Sequence, residues 1–121
     1  MSALDELAAL ESFRIWDGVL ARSVEGERVS FAVVEFDPSI VIPEHRHENE
    51  QLGIVLRGTV TFRVGDEVRD LEAGGTWRIP PDVPHQVEAG SEGAVVMDVF
   101  APIRADWQAL ERLDARSPTW P

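Results

Sequence analysis

The residues best suited to chemistry are the three histidines of the chain, His45, His47 and His85, together with Gln51. His45 and His47 stand two residues apart, which in extended backbone puts both imidazoles on one face. Gln51 lies four residues further on, and His85 follows 80–84, a proline-rich turn that fixes its direction. Because borderline divalent metals favour imidazole nitrogen, the spacing predicts a site for one divalent ion (nickel, zinc, manganese, iron or cobalt). The alternative is that the histidines are unrelated surface or core residues.

The segments around these residues are short apolar runs separated by turns. The predicted strands are 29–36, 39–42, 51–56, 59–64, 68–71, 76–79, 85–88 and 94–100. Many short strands with a turn every ~8–12 residues are typical of a sandwich or a barrel, so the fold class is all-β. Helical spacing adds a short turn or helix around Leu4, Leu7 and Leu10. It also predicts a short amphipathic C-terminal helix carrying Trp107 and Leu110.

Composition limits the kinds of partner. The 121 residues are 44% hydrophobic, which suits one domain spanning 1–121. A formal net charge of −11 argues against nucleic acid and anionic lipid as partners, and the absence of cysteine excludes thiolate ligands. No apolar run approaches the roughly 18 residues that span a bilayer, and 1–12 lacks the features of a secretory signal, so we expect a cytoplasmic protein. An anionic substrate would need a local positive site, from a metal or an arginine.

Together the motifs resemble those of the cupin superfamily. The first cupin motif is H-x-H, three or four residues, Glu or Gln, six residues and Gly. The second is Gly, five residues, Pro-x-Gly, two residues, His, three residues and Asn. The matching residues are His45, His47, Gln51 and Gly58 for the first motif, and Gly74, Pro80 and His85 for the second. Asp82 and Ala89 replace the usual glycine and asparagine, which affects turn chemistry and not the ligands. The resemblance implies a double-stranded β-helix, the cupin jelly-roll barrel, with metal motifs within 43–89.

Position 51 is a glutamine where many cupins carry glutamate. Three neutral imidazoles and a neutral amide leave a divalent ion its full charge, which favours Lewis-acid chemistry over oxygen activation. Glu50 is an alternative ligand, but on a strand it points away from the face that carries Gln51.

The last predicted strand carries an aspartate, Asp98, among apolar residues. A buried carboxylate without a partner is costly, so Asp98 either pairs with a cation, for which Arg104 is the candidate, or has a chemical role. Asp98, Phe100 and Arg104 after a Gln51-type motif resemble the pectin-degradation cupins of the KdgF type. That resemblance implies a metal-dependent isomerase that opens and ketonises 4,5-unsaturated uronates, a small anionic sugar-like substrate, with Gln51, Asp98, Phe100 and Arg104 as the functional set. The alternatives are a metal-dependent oxygenase and a non-catalytic ligand-binding or sensory cupin.

Two further expectations concern surfaces. Val95, Met97 and Val99, together with Ile54, form an outward apolar set that predicts a homodimer. The four tryptophans, Trp16, Trp77, Trp107 and Trp120, are expected in the core or at an interface more than in a sugar site.

Overall fold

The computed structural model describes residues 2–121, most of which lie in antiparallel strands. The strands are β1 (Phe13–Trp16), β2 (Val19–Glu25), β3 (Ser30–Phe36), β4 (Val41–His45), β5 (Glu50–Val64), β6 (Glu67–Leu71), β7 (Thr76–Ile79) and β8 (His85–Ala101). Two short 3₁₀ helices, Leu7–Ala9 and Ala105–Ala109, flank the strands.

The two long strands β5 and β8 pair along their whole length and join two layers of the barrel. The first half of β5 and the second half of β8 lie with β1, β2, β3 and β7, and the remaining halves lie with β4 and β6. This is the predicted double-stranded β-helix.

Glycines allow β5 and β8 to pass from one layer to the other. Gly58 and Gly93 have φ values of 81° and 75°, and a Cβ on Gly58 would lie 2.3 Å from the carbonyl oxygen of Gly93. Only glycine accepts both the left-handed backbone and so close an approach. The β5–β8 register also shifts on both sides of Gly58, as a β-bulge does.

The core lies between the two layers and is mostly aliphatic and aromatic. Its largest members include Phe13, Val34, Val60, Phe62, Trp77, Ile79, Val96 and Phe100. Complete burial of such a side chain stabilises the fold by about 1.5–3 kcal/mol. Gln51, His85 and Asp98 are among the polar residues that are buried beside this core, and they need an explanation.

The sequence predicted the strand positions better than the strand lengths. Segments 51–56 and 59–64 are one strand, as are 85–88 and 94–100, and β1 and β2 were not among the predicted strands. A short helix is present near the C-terminus, but it is a 3₁₀ helix that ends at Ala109. The N-terminal turn is likewise a single 3₁₀ turn.

The C-terminal tail lies along the outside of the barrel. Arg22 is wholly buried beneath it, and donates from Nη1 to Glu35 Oε2 at 2.6 Å and from Nη2 to the carbonyl oxygen of Arg116 at 3.2 Å. The backbone N–H of Thr119 donates to the same Glu35 oxygen. Val95 is only 2% exposed and lines the groove that Thr119 enters. The prediction that Val95 belongs to a free outward face is therefore wrong. None of the helices described is long and apolar enough to cross a membrane.

Candidate metal centre

Strand pairing brings the three histidines together. His45 ends β4 and lies directly opposite His85, the first residue of β8. His47 lies in the loop after β4, and its carbonyl oxygen accepts a hydrogen bond from the backbone N–H of Asp82, in the turn before His85. Ligand nitrogens of the three imidazoles all lie within 4.8 Å of one another. The predicted histidine cluster is therefore present in the fold.

Backbone carbonyls orient each imidazole. His45 Nδ1 lies 2.8 Å from the Pro43 oxygen, His85 Nδ1 lies 2.9 Å from the Val83 oxygen, and His47 Nδ1 lies 3.0 Å from the oxygen of residue 49. A carbonyl oxygen can only accept, so Nδ1 carries the proton in all three rings. Each Nε2 is left as a lone-pair donor, which is how metal-binding histidines are held.

The polar atoms at the centre of the cluster fit a cation. His85 Nε2 is buried and has no hydrogen-bond partner among the described residues. His47 Nε2 lies 3.1 Å from Gln51 Oε1, so two lone pairs face each other. A positive charge near both atoms would offset their repulsion. Burial lowers the pKa of His85 to about 4, and burial followed by the Arg104 charge lowers the pKa of His47. Both rings are therefore neutral near pH 7, as ligands must be.

Gln51 connects the histidines to Asp98. Its Nε2 donates to Asp98 Oδ1 at 2.8 Å, while its Oε1 faces His47. Glu50, the alternative ligand, is exposed, whereas Gln51 is buried, as the strand alternation predicted.

Asp98 is the buried acid of the site. It accepts a second hydrogen bond at Oδ1 from Trp77 Nε1, also at 2.8 Å, and Oδ2 has no partner among the described residues. Burial raises the pKa of Asp98 to about 6, against the opposing effect of the Gln51 and Trp77 hydrogen bonds.

Arg104 does not form the ion pair with Asp98 that the sequence offered as one of two alternatives. Its Nε and Nη2 donate to both carboxylate oxygens of Asp106, at 2.9 and 2.7 Å. Its guanidinium lies 4.9 Å from the ring centroid of Phe100 and 4.4 Å from that of Trp107. The Arg104 hydrogen bond lowers the pKa of Asp106, so this pair stays charged.

Asn49 holds the Arg104 segment against the histidine loop. Its buried side chain donates from Nδ2 to the carbonyl oxygens of Pro102 at 2.7 Å and Ile103 at 3.1 Å. Phe100, only 2% exposed, packs edge to face between His47 and Trp107. The chain thus brings the four predicted metal-site residues to one place with Asp98 and Phe100 of the last strand and Arg104, which follows that strand.

Two adjoining cavities lie at this site. The inner one, about 50 Å³, is lined by His45, Gln51, His85, Asp98, Phe100 and Arg104 among others, and the outer one measures about 380 Å³. They share His45, Arg104 and Trp107. Ligand pockets typically measure about 300–1,000 Å³, so the outer cavity suits one small molecule and the inner one an ion and a small group. Trp16 lines the outer cavity and is 47% exposed, unlike the buried Trp77 and Trp107, which fit the core prediction.

Comparison with known proteins agrees with this geometry. The cupin domain model matches residues 32–100, more than half of the chain. The chain is a member of the cupin family. This cupin is 26% identical over 93 residues to pectin degradation protein KdgF of Dickeya dadantii, covering 75% of the chain and 84% of that protein.

Solved structures give the same result. KdgF from Halomonas sp. superposes with a TM-score of 0.74 at 26% identity, covering 78% of this cupin and 88% of that chain. An RmlC-like cupin from Shewanella frigidimarina superposes with a TM-score of 0.82 at 22% identity, covering 88% and 96% of the two chains. This cupin therefore has the fold and the histidine cluster of a metal-binding cupin related to KdgF.

Three neighbours of the site were not predicted from the sequence. They are Trp77, which hydrogen-bonds Asp98, Gly53, over which the indole lies, and Asn49. Asn49 could have been identified from its position inside the first motif. Trp77 and Gly53 lie beside Asp98 because of the strand register, which the sequence does not reveal.

Proposed function

We propose that this cupin is a metal-dependent isomerase that opens and ketonises 4,5-unsaturated uronates. One observation carries the proposal: a buried carboxylate, Asp98, lines the same small cavity as His45, His85 and Arg104. Similarity to two KdgF proteins, one of them named for pectin degradation, supports it.

His45, His47, His85 and Gln51 would hold the ion, through three Nε2 atoms and one amide oxygen. The orphaned Nε2 of His85 and the facing acceptors of His47 and Gln51 support this ligand set. When bound, a divalent ion supplies Lewis-acid polarisation of a substrate oxygen.

The reaction is a proton relocation with no change in oxidation state. The anomeric hydroxyl loses its proton, the carbon–oxygen bond to the ring oxygen breaks, and carbon 1 becomes an aldehyde. The released enolate then takes that proton at carbon 4, and carbon 5 becomes the ketone. Asp98 is the candidate group for both transfers, because Oδ2 is free of hydrogen bonds among the described residues. General acid–base catalysis by such a group is typically worth about 10²–10⁴-fold in rate.

Arg104 and Phe100 are assigned to substrate binding. The Arg104 guanidinium lines both cavities, so it can bind the uronate carboxylate through two parallel hydrogen bonds. In the structure, the N–H groups of Arg104 donate to Asp106, which holds the guanidinium against Phe100 and Trp107. A sugar ring is too large for the inner cavity of about 50 Å³ and would sit in the outer one, against the exposed face of Trp16.

The test is to follow the vinyl proton of 4,5-unsaturated galacturonate by NMR with metal-loaded protein and with Asp98→Ala. We expect accelerated loss of that signal with the parent chain only, when the metal is supplied in enough excess to load both chains. Glu50→Gln is the matched control, because Glu50 is exposed and its replacement should leave the rate unchanged. No acceleration with any of the five candidate metals would refute the uronate assignment. Oxygen uptake would instead favour an oxygenase, and metal binding without turnover would favour a ligand-binding cupin.

Two properties of the molecule belong to the same proposal. We propose a homodimer through the outer face where Phe31, Val99 and Leu52 lie side by side on β3, β8 and β5. Phe31 and Leu52 are 37% and 44% exposed, so the face is apolar and open, with Met97 and Ile54 in the next row. Light scattering should give twice the chain mass, and Leu52→Glu should halve it. A cytoplasmic location remains a prediction that cell fractionation would test.

A further inference from the structure

A row of residues across three strands lies directly behind the Gln51 amide. Trp77 on β7 lies opposite Gly53 on β5, and Gly53 lies opposite Asp98 on β8. A Cβ on Gly53 would lie 2.1 Å from the Trp77 indole, so the indole occupies the space that any other side chain would fill. This arrangement lets Trp77 Nε1 reach Asp98 across the width of a strand.

The hydrogen bonds fix the orientation of Gln51. Ionised Asp98 can only accept, and its Oδ1 is shared by the Trp77 indole N–H and the Gln51 amide N–H, each at 2.8 Å. The Gln51 amide must therefore turn its nitrogen to Asp98 and its oxygen to His47. A flipped amide would place two oxygens in contact behind the site and two N–H groups where an ion must bind.

We propose that Trp77 and Asp98 are positioning residues for the metal centre, and that the buried Asp98 carboxylate is the reason position 51 carries glutamine. The proposal rests on the metal site of the proposed function but not on its substrate. It assigns Asp98 Oδ1 to holding Gln51, and leaves Oδ2 for the proton transfer described above.

A glutamate at position 51 would be incompatible with an ionised Asp98. A glutamate at position 51 has no N–H to donate, so its carboxylate would lie against that of Asp98 inside the barrel. The nearby cation that could separate the two, Arg104, is already bound by both oxygens of Asp106. Asparagine at position 98 removes one of the two negative charges, so the introduced carboxylate no longer faces another carboxylate.

The first experiment needs no metal. We would compare the Tm of the metal-free parent chain with Gln51→Glu, Asp98→Asn and the double variant. We expect Gln51→Glu to lower Tm by about 5 °C or more and the double variant to recover most of that loss. Additive effects of the two substitutions would overturn the pairing, whether or not the protein has any activity.

The second experiment measures Co²⁺ affinity and the visible absorption of the bound ion. Trp77→Phe should weaken binding by about 10–100-fold, as loss of such outer hydrogen bonds usually does, and should change the cobalt spectrum. Phe62→Leu is the packing control, because the Phe62 ring stacks on Trp77 with their centroids 4.6 Å apart and has no polar atom to bond Asp98. Its affinity should stay within about threefold of the parent.

The outcomes separate the two proposals. Equal affinity of Trp77→Phe and the parent, or a Gln51→Glu variant that binds Co²⁺ more tightly than the parent, would overturn the positioning role. A parent chain that binds no divalent metal would refute the ligand set, while the metal-free comparison would still decide the Gln51–Asp98 pairing. If the chain binds metal as expected but does not convert the uronate, only the assignment of the substrate is refuted.

Discussion

Substitution of Gly53 by alanine tests whether the Trp77–Asp98 contact depends on the missing side chain. The new Cβ would lie 2.1–2.4 Å from three atoms of the Trp77 indole, where ordinary carbon contacts are about 3.5–4.0 Å. Trp77 is 7% exposed and packed against Phe62, so it has little room to retreat. The ring must move by more than about 1 Å, which carries Nε1 beyond hydrogen-bond range of Asp98.

Three effects set the magnitude. Overpacking a core costs about 1–3 kcal/mol, and the lost hydrogen bond to a carboxylate adds about 1.5–3 kcal/mol. Replacing glycine restricts the unfolded chain and returns about 0.4–1 kcal/mol. The net loss in free energy of unfolding is therefore about 1.5–5.6 kcal/mol, which for a chain of this size lowers Tm by about 5–25 °C.

The assay is urea unfolding of the metal-free protein in a double-mutant cycle with Trp77→Leu. Leucine lacks the atoms that meet the new Cβ, so Gly53→Ala should cost less than about 1 kcal/mol in that background. Co²⁺ affinity should fall with Gly53→Ala in the Trp77 chain. A change below about 0.5 kcal/mol in the parent background, with unchanged affinity, would contradict both the packing and the positioning argument.

Three further predictions concern the outer surface and pH. Glu35→Leu leaves the Arg22 charge buried without its partner and should cost about 3–5 kcal/mol in urea unfolding, whereas adding Arg22→Met should recover much of it. Deleting 116–121 removes the backbone contacts to Arg22 and Glu35 and should lower Tm by about 4–8 °C in calorimetry, still as one cooperative transition if 1–121 is one domain. The pKa of His85 is about 4 in the folded chain against an ordinary 6.5, so the folded state loses stability as pH falls from 6.5. The pKa of Asp98 is about 6 against an ordinary 3.8, so protonation of Asp98 adds stability as pH falls from 6 to 4. Asp98→Asn should therefore steepen the acid loss of metal-free stability by up to about 1.4 kcal/mol per pH unit in urea titrations.

The sequence predicted strands well wherever one face of the strand is buried and the other is exposed to solvent. Segment 59–64 alternates and lies in β5 as expected, but Gly58, predicted to end a strand, is the bend within one. β2 escaped prediction because Val19 to Arg22 are all buried, with one face in the core and the other under the C-terminal tail. Such two-sided burial removes the alternation on which strand prediction depends.

The site was predictable to the extent that its residues are close in sequence or unusual in type. His45, His47 and Gln51 belong to one short segment, and His85 follows a rigid turn, so their types and spacing sufficed. The partner of Arg104 was not predictable, because Asp98 and Asp106 are both near in sequence. Arg104 lies beyond the end of β8, which favours the local pair with Asp106. The contact of Trp77 with Asp98 depends on strand register, which the sequence does not contain.

The charges around the centre explain why a neutral ligand at position 51 matters for binding an anion. The inner cavity is lined by Asp98 and by Arg104, whose charge is balanced by Asp106, so these three groups contribute one net negative charge, while the exposed Glu44 lines only the outer cavity. A divalent ion on neutral ligands therefore leaves one net positive charge in the cavity of a protein whose formal charge is −11. Glutamate at position 51 would cancel that charge and leave an anionic substrate facing a neutral site in a repulsive field. Under the proposed function, Gln51 would thus serve two requirements at once, a hydrogen-bond donor for Asp98 and a positive centre for the carboxylate of a monoanionic sugar.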